Sequence, residues 1–583
     1  MRWNARTRIT IAGAVVGIVF TAFSFRLVHL SVARHDEFSA LAAEKNSIRQ
    51  TIHARRGLIV DRNGELLAEN APIRTVVADG SHIEDPRKLA EVAAPFLEMD
   101  VAELTEKLST ERKYLVIRHG LPAGRAIELQ KTLQAQRLRG LYYEHDFRRV
   151  HPNGSMLAHV LGFLDHTREG IQGIELSMEE FLKGEDGFRH IERDRTGREL
   201  VVYRGQERAP RDGMNVHLTI DMNLQAIVEE ELDAAVAEIK PKTAIAILMD
   251  PKTGDILAMA NRPTFHPDAI AEADSEQMKN RAIIDMVEPG SIFKIVPIGG
   301  ALNEGIVTTE TRIHCEGGQF AYGGKILRDH HGYGLMTPHE IMVKSSNIGC
   351  AKLALKMGDN VFYEYVKRFG FGERTGVELP GEIAGMVNPP ARWDKLTITR
   401  MPMGHAVAVT PIQMVMAMGA VANGGKLMAP HIVKAVSDSD ENIIREFPPT
   451  VVREVVNPET AAILNEALAE VVTPRGTAIL AKVDGFRVAG KTGTAQKVDP
   501  NGGYTPGKYV VSFVGYMPVE DPAFVAIVMI DDASVPSNLN YGGLVAAPIF
   551  SRIADRAARY LDLQPVLRAE PVIQAANTRG TTP

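Results

Sequence analysis

The sequence predicts a multidomain α+β chain: a single N-terminal transmembrane helix, an elongated mixed α/β pedestal, and a larger domain built as an antiparallel sheet with helices on its faces. Three observations lead there. Residues 9–25 carry no charge and lie between Arg8 and Arg26. At 583 residues the chain exceeds what one core accommodates. The stretch 215–562 opens and closes on strand-like runs with helical sequence between them. A composition 45% hydrophobic and 24% charged is globular, and a net charge of −6 argues against nucleic acid as the main partner.

With a weaker apolar continuation to residue 32, the first run gives roughly 20–24 residues, enough to cross a hydrocarbon core of about 30 Å. Arg2, Arg6 and Arg8 precede it, which keeps residues 1–8 in the cytoplasm and sends the remainder outward. No small-x-small site follows the run, so residues 9–32 read as an uncleaved anchor rather than a signal peptide. Gly13 and Gly17, beside Ala12 and Ala14, offer a shallow face for another membrane helix.

Residues 33–214 form the pedestal. Polar sequence over 34–56 suggests a helical stalk, and residues 56–68 read as strand, Asn63-Gly64 turn, strand. Strand-like runs at 113–118 and 140–147 flank a helical 125–136. Gly170, Gly173, Gly184 and Gly187 punctuate the end of the unit, which carries no catalytic constellation and reads as scaffold. The domain 215–562 begins with a strand over 216–221 and a helix of 3.6-residue period over 223–239. A hairpin over 244–249 and 256–260 follows, and strands at 509–516 and 523–530 close the unit. Residues 563–583, rich in Pro and Thr, read as a flexible tail. Cys315 and Cys350 are too few to staple so large a chain and read as buried free thiols.

Three motifs stand in fixed order: Ser291-Ile292-Phe293-Lys294, Ser345-Ser346-Asn347 and Lys491-Thr492-Gly493-Thr494. Pro289-Gly290 precedes Ser291 and an apolar, helix-compatible run follows, so Ser291 belongs at the first turn of a buried helix with Lys294 on the same face. An ammonium accepts no proton, so Lys294 serves as a base only if it is desolvated or close to another cation, for which Lys491 is the candidate. A serine cap followed by a surface lysine would look the same in isolation. Ser345, Ser346 and Asn347 interrupt a helical run over 339–356, where such residues mark a cap or turn. In a catalytic role Ser345 bridges Lys294 and Lys491 and passes a proton to the leaving amine, and Asn347 bonds the substrate amide; in a structural role they satisfy buried backbone groups.

Lys-Thr-Gly occurs twice. Lys252-Thr253-Gly254 falls in a tight hairpin loop. Lys491-Thr492-Gly493 follows strand-like sequence and belongs on an edge strand beside a cleft, where Gly493 allows a substrate backbone to approach. The backbone N–H groups of Ser291 and Thr494 are the candidate oxyanion donors. His330-His331 lacks a third ligand at regular spacing, so no metal is invoked.

The motifs in this order resemble the penicillin-binding and serine β-lactamase superfamily. Residues 56–64, Arg149-Val150-His151-Pro152-Asn153-Gly154, Gly170-x-x-Gly173-x-Glu175, Leu218-Thr219-Ile220-Asp221 and Glu288-Pro289-Gly290-Ser291 extend the resemblance to class B penicillin-binding proteins over about residues 50–560. His151 departs from the tyrosine usual in its motif. The modest outer domain, the Glu192-Arg193-Asp194-Arg195-x-Gly197-Arg198 segment and the short end are similar to the septal, cell-division member.

The resemblance implies a penicillin-binding, serine β-lactamase-like transpeptidase domain on a dimerisation-type pedestal. It also implies a monofunctional enzyme, since no glycosyltransferase domain fits before residue 50. Carried over, Ser291 is the acylated nucleophile, Lys294 the general base, Ser345 and Asn347 the relay and amide contact, and Lys491 electrostatic support. Thr492 and Thr494 bind the terminal carboxylate of a D-alanyl-D-alanine stem peptide. The implied ligands are peptidoglycan stem peptides and β-lactams, without a cofactor. The implied partners are a polytopic lipid-linked glycan polymerase and other division membrane proteins. Alternatives are an elongation- or sporulation-type transpeptidase, a carboxypeptidase or β-lactamase, and a non-enzymatic division scaffold; no motif places the deacylating glutamate a hydrolase needs.

Overall fold

The structure, a computed structural model, describes residues 4–35, 37, 47–112, 114–193, 199–202, 207–499 and 502–565. Arg2, residues 36 and 38–46 of the expected stalk, residues 194–198 of the septal-type segment and the tail from residue 566 lie outside them. Helix α1 (Ala5–Val28) is capped by Asn4, whose side chain accepts from the Thr7 N–H. With a looser turn it continues to Ala33, long and apolar enough to span a membrane. Among the described residues, nothing beyond the helix's own backbone lies within 4 Å of a β carbon placed on Gly13 or Gly17.

The chain divides into two units. The first comprises Met1–Arg55, Ala71–Arg148 and Gly184–Asp212; the second comprises Arg56–Asn70, Arg149–Lys183 and Gly213–Pro583. This departs from the contiguous pedestal 33–214 expected from sequence. Within the first unit, the described end of the stalk is a strand rather than a helix: Ser47–Ile52 pairs antiparallel with Gly187–Arg193, Ser47 opposite Glu192. Pairing partners decide such a segment more than its own composition does. The later residues of Leu66–Ala78 pair with Leu115–Pro122 and with Leu141–Val150. Helices Pro86–Leu97, Val101–Leu108 and Ala123–Ala135 bury Leu89, Leu97, Leu104 and Leu129 in a small core with Val76. The strand–helix–strand order expected for 113–147 is therefore present.

In the second unit the chain runs β1 (Ile59–Val60), β2 (Leu66–Ala78, to Asn70 here), β3 (Asn215–Leu218), α2 (Met222–Ile239), β4 (Thr243–Met249), β5 (Ile256–Arg262) and α3 (Ile295–Asn303). It continues through β6 (Lys325–Arg328), α4 (Pro338–Lys344), α5 (Asn347–Met357), α6 (Pro411–Ala422), β7 (Val433–Ser437) and α7 (Pro458–Val471). It closes with β8 (Ala489–Val498), β9 (Tyr504–Met517), β10 (Phe524–Asp531) and α8 (Gly542–Tyr560).

The main sheet has the order β5-β4-β10-β9-β8, every neighbouring pair antiparallel. Residues of β4 and β5 are buried throughout, as a sheet covered on both faces requires. Helices α2 and α8 pack on the sheet and on each other, and α6, buried along its whole length, packs on β10.

Strand β3 does not join this sheet. It pairs in parallel with β1, Ile59 opposite Val216, and antiparallel with β7. The β1–β2 hairpin turns at Asn63-Gly64, with Gly64 at φ 91° and the Asp61 carboxylate accepting from the N–H groups of Asn63 and Glu65.

A buried ion network explains why two early segments belong to this unit. The Glu175 carboxylate, with no exposed surface, receives Arg56 Nε at 2.5 Å and Arg149 Nε at 2.6 Å, while Arg56 also reaches Glu179. Arg149 further donates to Gly57 O. His151, in the place of the expected tyrosine, is buried and bonded to Asp268 at 2.7 Å.

Candidate active site

Ser291 sits in one tight turn, Gly290–Lys294, that leads directly into α3. It is half-buried, whereas every residue from Ile292 to Gly300 is buried, so the turn presents its serine alone. Gly290 has φ 55°, and a β carbon there would lie 2.9 Å from Thr494 O and 3.2 Å from Thr494 N. The backbones flanking the two expected oxyanion donors thus run side by side.

Lys294 has no exposed surface. Its Nζ donates to Ser345 O at 2.5 Å, Ser345 Oγ at 3.0 Å and Asn347 Oδ1 at 2.8 Å. Burial brings its pKa down to about 8. Lys491, on edge strand β8 and equally buried, is held at about 7 by burial and then by the charge of Lys294. Its contacts are long, 3.5 Å to Thr492 O and 3.4 Å to Thr492 Oγ1. Desolvation, then, is the main cause of the lowered value of Lys294. Ser291 Oγ has no hydrogen-bond partner among the described residues, so the connected group is Lys294, Ser345 and Asn347.

The helical run expected over 339–356 is two helices. Ser345 ends α4 in the left-handed region at φ 57°, and Ser346 caps α5 by accepting from the Gly349 N–H at 2.9 Å. This break turns Ser345 and Asn347 toward Lys294. Two free thiols lie close by: the buried Cys350 is pushed up to about 12 by desolvation, and Cys315 is likewise raised by burial, its Sγ 3.5 Å from Ser346 Oγ. Both are thiols rather than thiolates at neutral pH.

Thr492 and Thr494 alternate with Lys491 and Gly493 on β8, and are half-buried where those two are buried. Thr494 Oγ1 accepts from the Gly542 N–H at 3.2 Å, which leaves its own proton free to donate. Packing within the chain itself requires glycine at Gly493. A β carbon there would lie 2.4 Å from Ser512 Oγ and 3.0 Å from Ile292 Cδ1 and Pro289 O. Its bare face lets the edge strand close on the Ser291 turn. The other Lys-Thr-Gly lies in the β4–β5 turn, with Lys252 exposed and paired to Asp521.

Several residues escaped the sequence reading. Thr477 Oγ1 is 3.3 Å from Thr492 Oγ1. The Glu288 carboxylate accepts from the Ala406 N–H at 3.0 Å and bonds His405 Nδ1 at 2.7 Å and Tyr504 OH at 3.1 Å, tying three segments around the Ser291 turn. Asp329 bonds Ser346 and the first N–H groups of α5. Thr477 and Asp329 are single polar residues in loops, without spacing to mark them, and Glu288 stood in a motif of the resemblance with no contact read for it. A half-exposed hydroxyl beside a buried lysine of lowered pKa, linked to a serine and an asparagine, suits acyl transfer through a serine ester.

Residues 244–555 match the penicillin binding protein transpeptidase domain, and residues 51–218 the penicillin-binding protein dimerisation domain. Stage V sporulation protein D of Bacillus subtilis is 35% identical over 558 residues, covering 94% of this chain and 85% of its own. The peptidoglycan D,D-transpeptidase FtsI of Escherichia coli is 30% identical, covering 94% and 91%. The crystal structure of penicillin binding protein 3 from Mycobacterium tuberculosis complexed with aztreonam is 28% identical with a TM-score of 0.69, covering 88% of this chain and 98% of that one.

Proposed function

From the premise that this chain belongs to the class B penicillin-binding proteins, the monofunctional peptidoglycan D,D-transpeptidases, we propose that it cross-links stem peptides at the division septum through an ester on Ser291. Lys294 takes the Ser291 proton, Ser345 returns it to the departing D-alanine, and Asn347 holds the substrate amide. Lys491 supports the developing charge, while Thr492 and Thr494, flanking Gly493, receive the terminal carboxylate. The N–H groups of Ser291 and Thr494 hold the oxyanion. An amine from a neighbouring strand then takes the acyl group, and β-lactams occupy the same serine. The observation that carries this reading is Lys294: fully buried, three residues beyond a half-exposed serine, and within 3.0 Å of both Ser345 Oγ and Asn347 Oδ1.

The test is a fluorescent penicillin on the detergent-solubilised chain, with the adduct located by mass spectrometry. An ester on Ser291 that vanishes in Ser291→Ala and turns over slowly supports the reading. An adduct elsewhere, or none in folded protein, removes it.

The septal assignment rests on the similarity to FtsI. The identity to a sporulation protein, 35%, favours a second setting, the spore envelope. A fluorescent fusion found at the septum of vegetative cells supports the first; one seen only in sporulating cells supports the second. The N-terminus lies in the cytoplasm and the catalytic unit outside, anchored by α1. Its Gly13-Gly17 face packs against a polytopic glycan polymerase or another division membrane protein.

A further inference from the structure

Asp329 follows β6 and makes three short contacts to the start of α5. Its Oδ1 accepts from the N–H groups of Asn347 at 2.6 Å and Ile348 at 3.1 Å, and its Oδ2 accepts from Ser346 Oγ at 2.6 Å. The neighbouring carbonyl, Arg328 O, accepts from Asn347 Nδ2 at 3.0 Å. Asn347 is thereby held at main chain and side chain by two consecutive residues. With its amide N–H₂ directed to Arg328, its Oδ1 is left for Lys294 Nζ at 2.8 Å. We infer that Asp329 is a positioning residue of the acylation step: its carboxylate fixes Ser346 and Asn347 and, through this one-residue bridge, favours the ammonium form of Lys294.

The groups around Lys294 leave Asp329 as the relevant charge. From β8 comes Lys491, held at about 7 and so mostly neutral while Lys294 titrates. From α5 comes Cys350, pushed up to about 12 and therefore an uncharged thiol. From the loop after β6 comes His330, lowered by burial and by Lys294, hence neutral above neutral pH. Burial depresses Lys294 to about 8, and the negative Asp329 opposes that depression. The carboxylate thus has two separable effects: it orients Asn347, and it keeps the base from losing its proton too early.

This inference rests on Lys294 as the base, and the experiment separates the two. The second-order rate of Ser291 acylation by a fluorescent penicillin is measured against pH in the full chain, for wild type, Asp329→Asn and Asp329→Glu. In wild type the rate rises with pH as Lys294 becomes neutral. Asparagine keeps the two Oδ1 bonds to the α5 N–H groups without the charge, its amide nitrogen facing Ser346 Oγ as a donor, so the ammonium loses support and the midpoint of the rise moves to lower pH. A half-unit shift makes the variant about three-fold less inhibited at the acid end. Glutamate keeps the charge but displaces the oxygens, lowering the rate with the midpoint in place. A midpoint that Asp329→Asn leaves unmoved overturns the inference and spares Lys294 as base. A wild-type rate without any rise overturns both.

Discussion

Lys294 and Lys491 have no exposed surface, and a charge so placed costs several kcal/mol unless it is paired or neutralised. Lys294, bonded to three acceptors, is lowered to about 8, and Lys491, with long contacts, to about 7, so each sheds its charge well below the ordinary lysine range. Because the folded values lie below the ordinary 10.5, the folded chain binds fewer protons than the unfolded one above these values. Stability therefore rises with pH from about 7 toward 10.5, and the destabilisation is complete below about 7. Below pH 8 acylation is expected to climb roughly tenfold per unit, since only neutral Lys294 accepts the Ser291 proton. Lys491→Met, which replaces a poorly bonded buried amine, charged only below about 7, with an apolar chain of similar length, is expected to raise stability below that pH by about 1–4 kcal/mol while slowing acylation at least ten-fold. Thermal unfolding measured beside the acylation rate checks both; a variant that loses stability would show Lys491 to be a structural anchor.

At the scale of elements, the edge strand and the serine turn meet across glycine. Gly493→Ala puts a methyl 2.4 Å from Ser512 Oγ and 3.0 Å from Ile292 Cδ1, so β8 must withdraw from the turn. The expected result is a loss of about 1–3 kcal/mol and an acylation rate down on the order of a hundredfold, read by calorimetry and penicillin labelling. In α1, replacing Gly13 and Gly17 with leucine fills an open face. It is expected to weaken co-purification with the polymerase while leaving penicillin labelling intact; unchanged recovery removes that contact.

How much of the site was legible follows from the same elements. Short local patterns carried Ser291, Lys294 and the β8 motif, because helix and strand periodicity places side chains without reference to the rest of the chain. The break at Ser345 was half legible, as poor helix formers announce a turn but not a left-handed residue. Asp329, Glu288 and Thr477 were not, because a loop residue acquires its partner only through tertiary closure.

At the scale of the whole chain, the division into two compact units crosses the expected boundary at 214/215 for a physical reason. The segments that carried the family resemblance, around Arg56, Arg149 and Glu175, are one buried ion network, and that network lies in the second unit. A consecutive reading cannot see that 56–70 and 149–183 return to it. Glu175→Gln removes the shared negative charge, leaving Arg56 with Glu179 and Arg149 without its carboxylate, and is expected to cost about 3–5 kcal/mol, measured by denaturant unfolding. A fragment of residues 215–562, without β1 and this network, is expected to aggregate where the full chain is monodisperse by size exclusion.

The order of the main sheet also sets a schedule. Strand β4 has β10 as its neighbour, so Thr243–Met249 must wait for Phe524–Asp531, nearly three hundred residues later. The strand bearing Lys491 pairs only with β9, and α8 follows. As the chain is synthesised, Ser291 and Ser345 emerge well before the strands that wall their surroundings, β8 to β10. The nascent polypeptide therefore carries an unarmed serine: reactivity is expected only after Phe524–Asp531 has emerged, so a chain interrupted before that strand has no competence to be acylated.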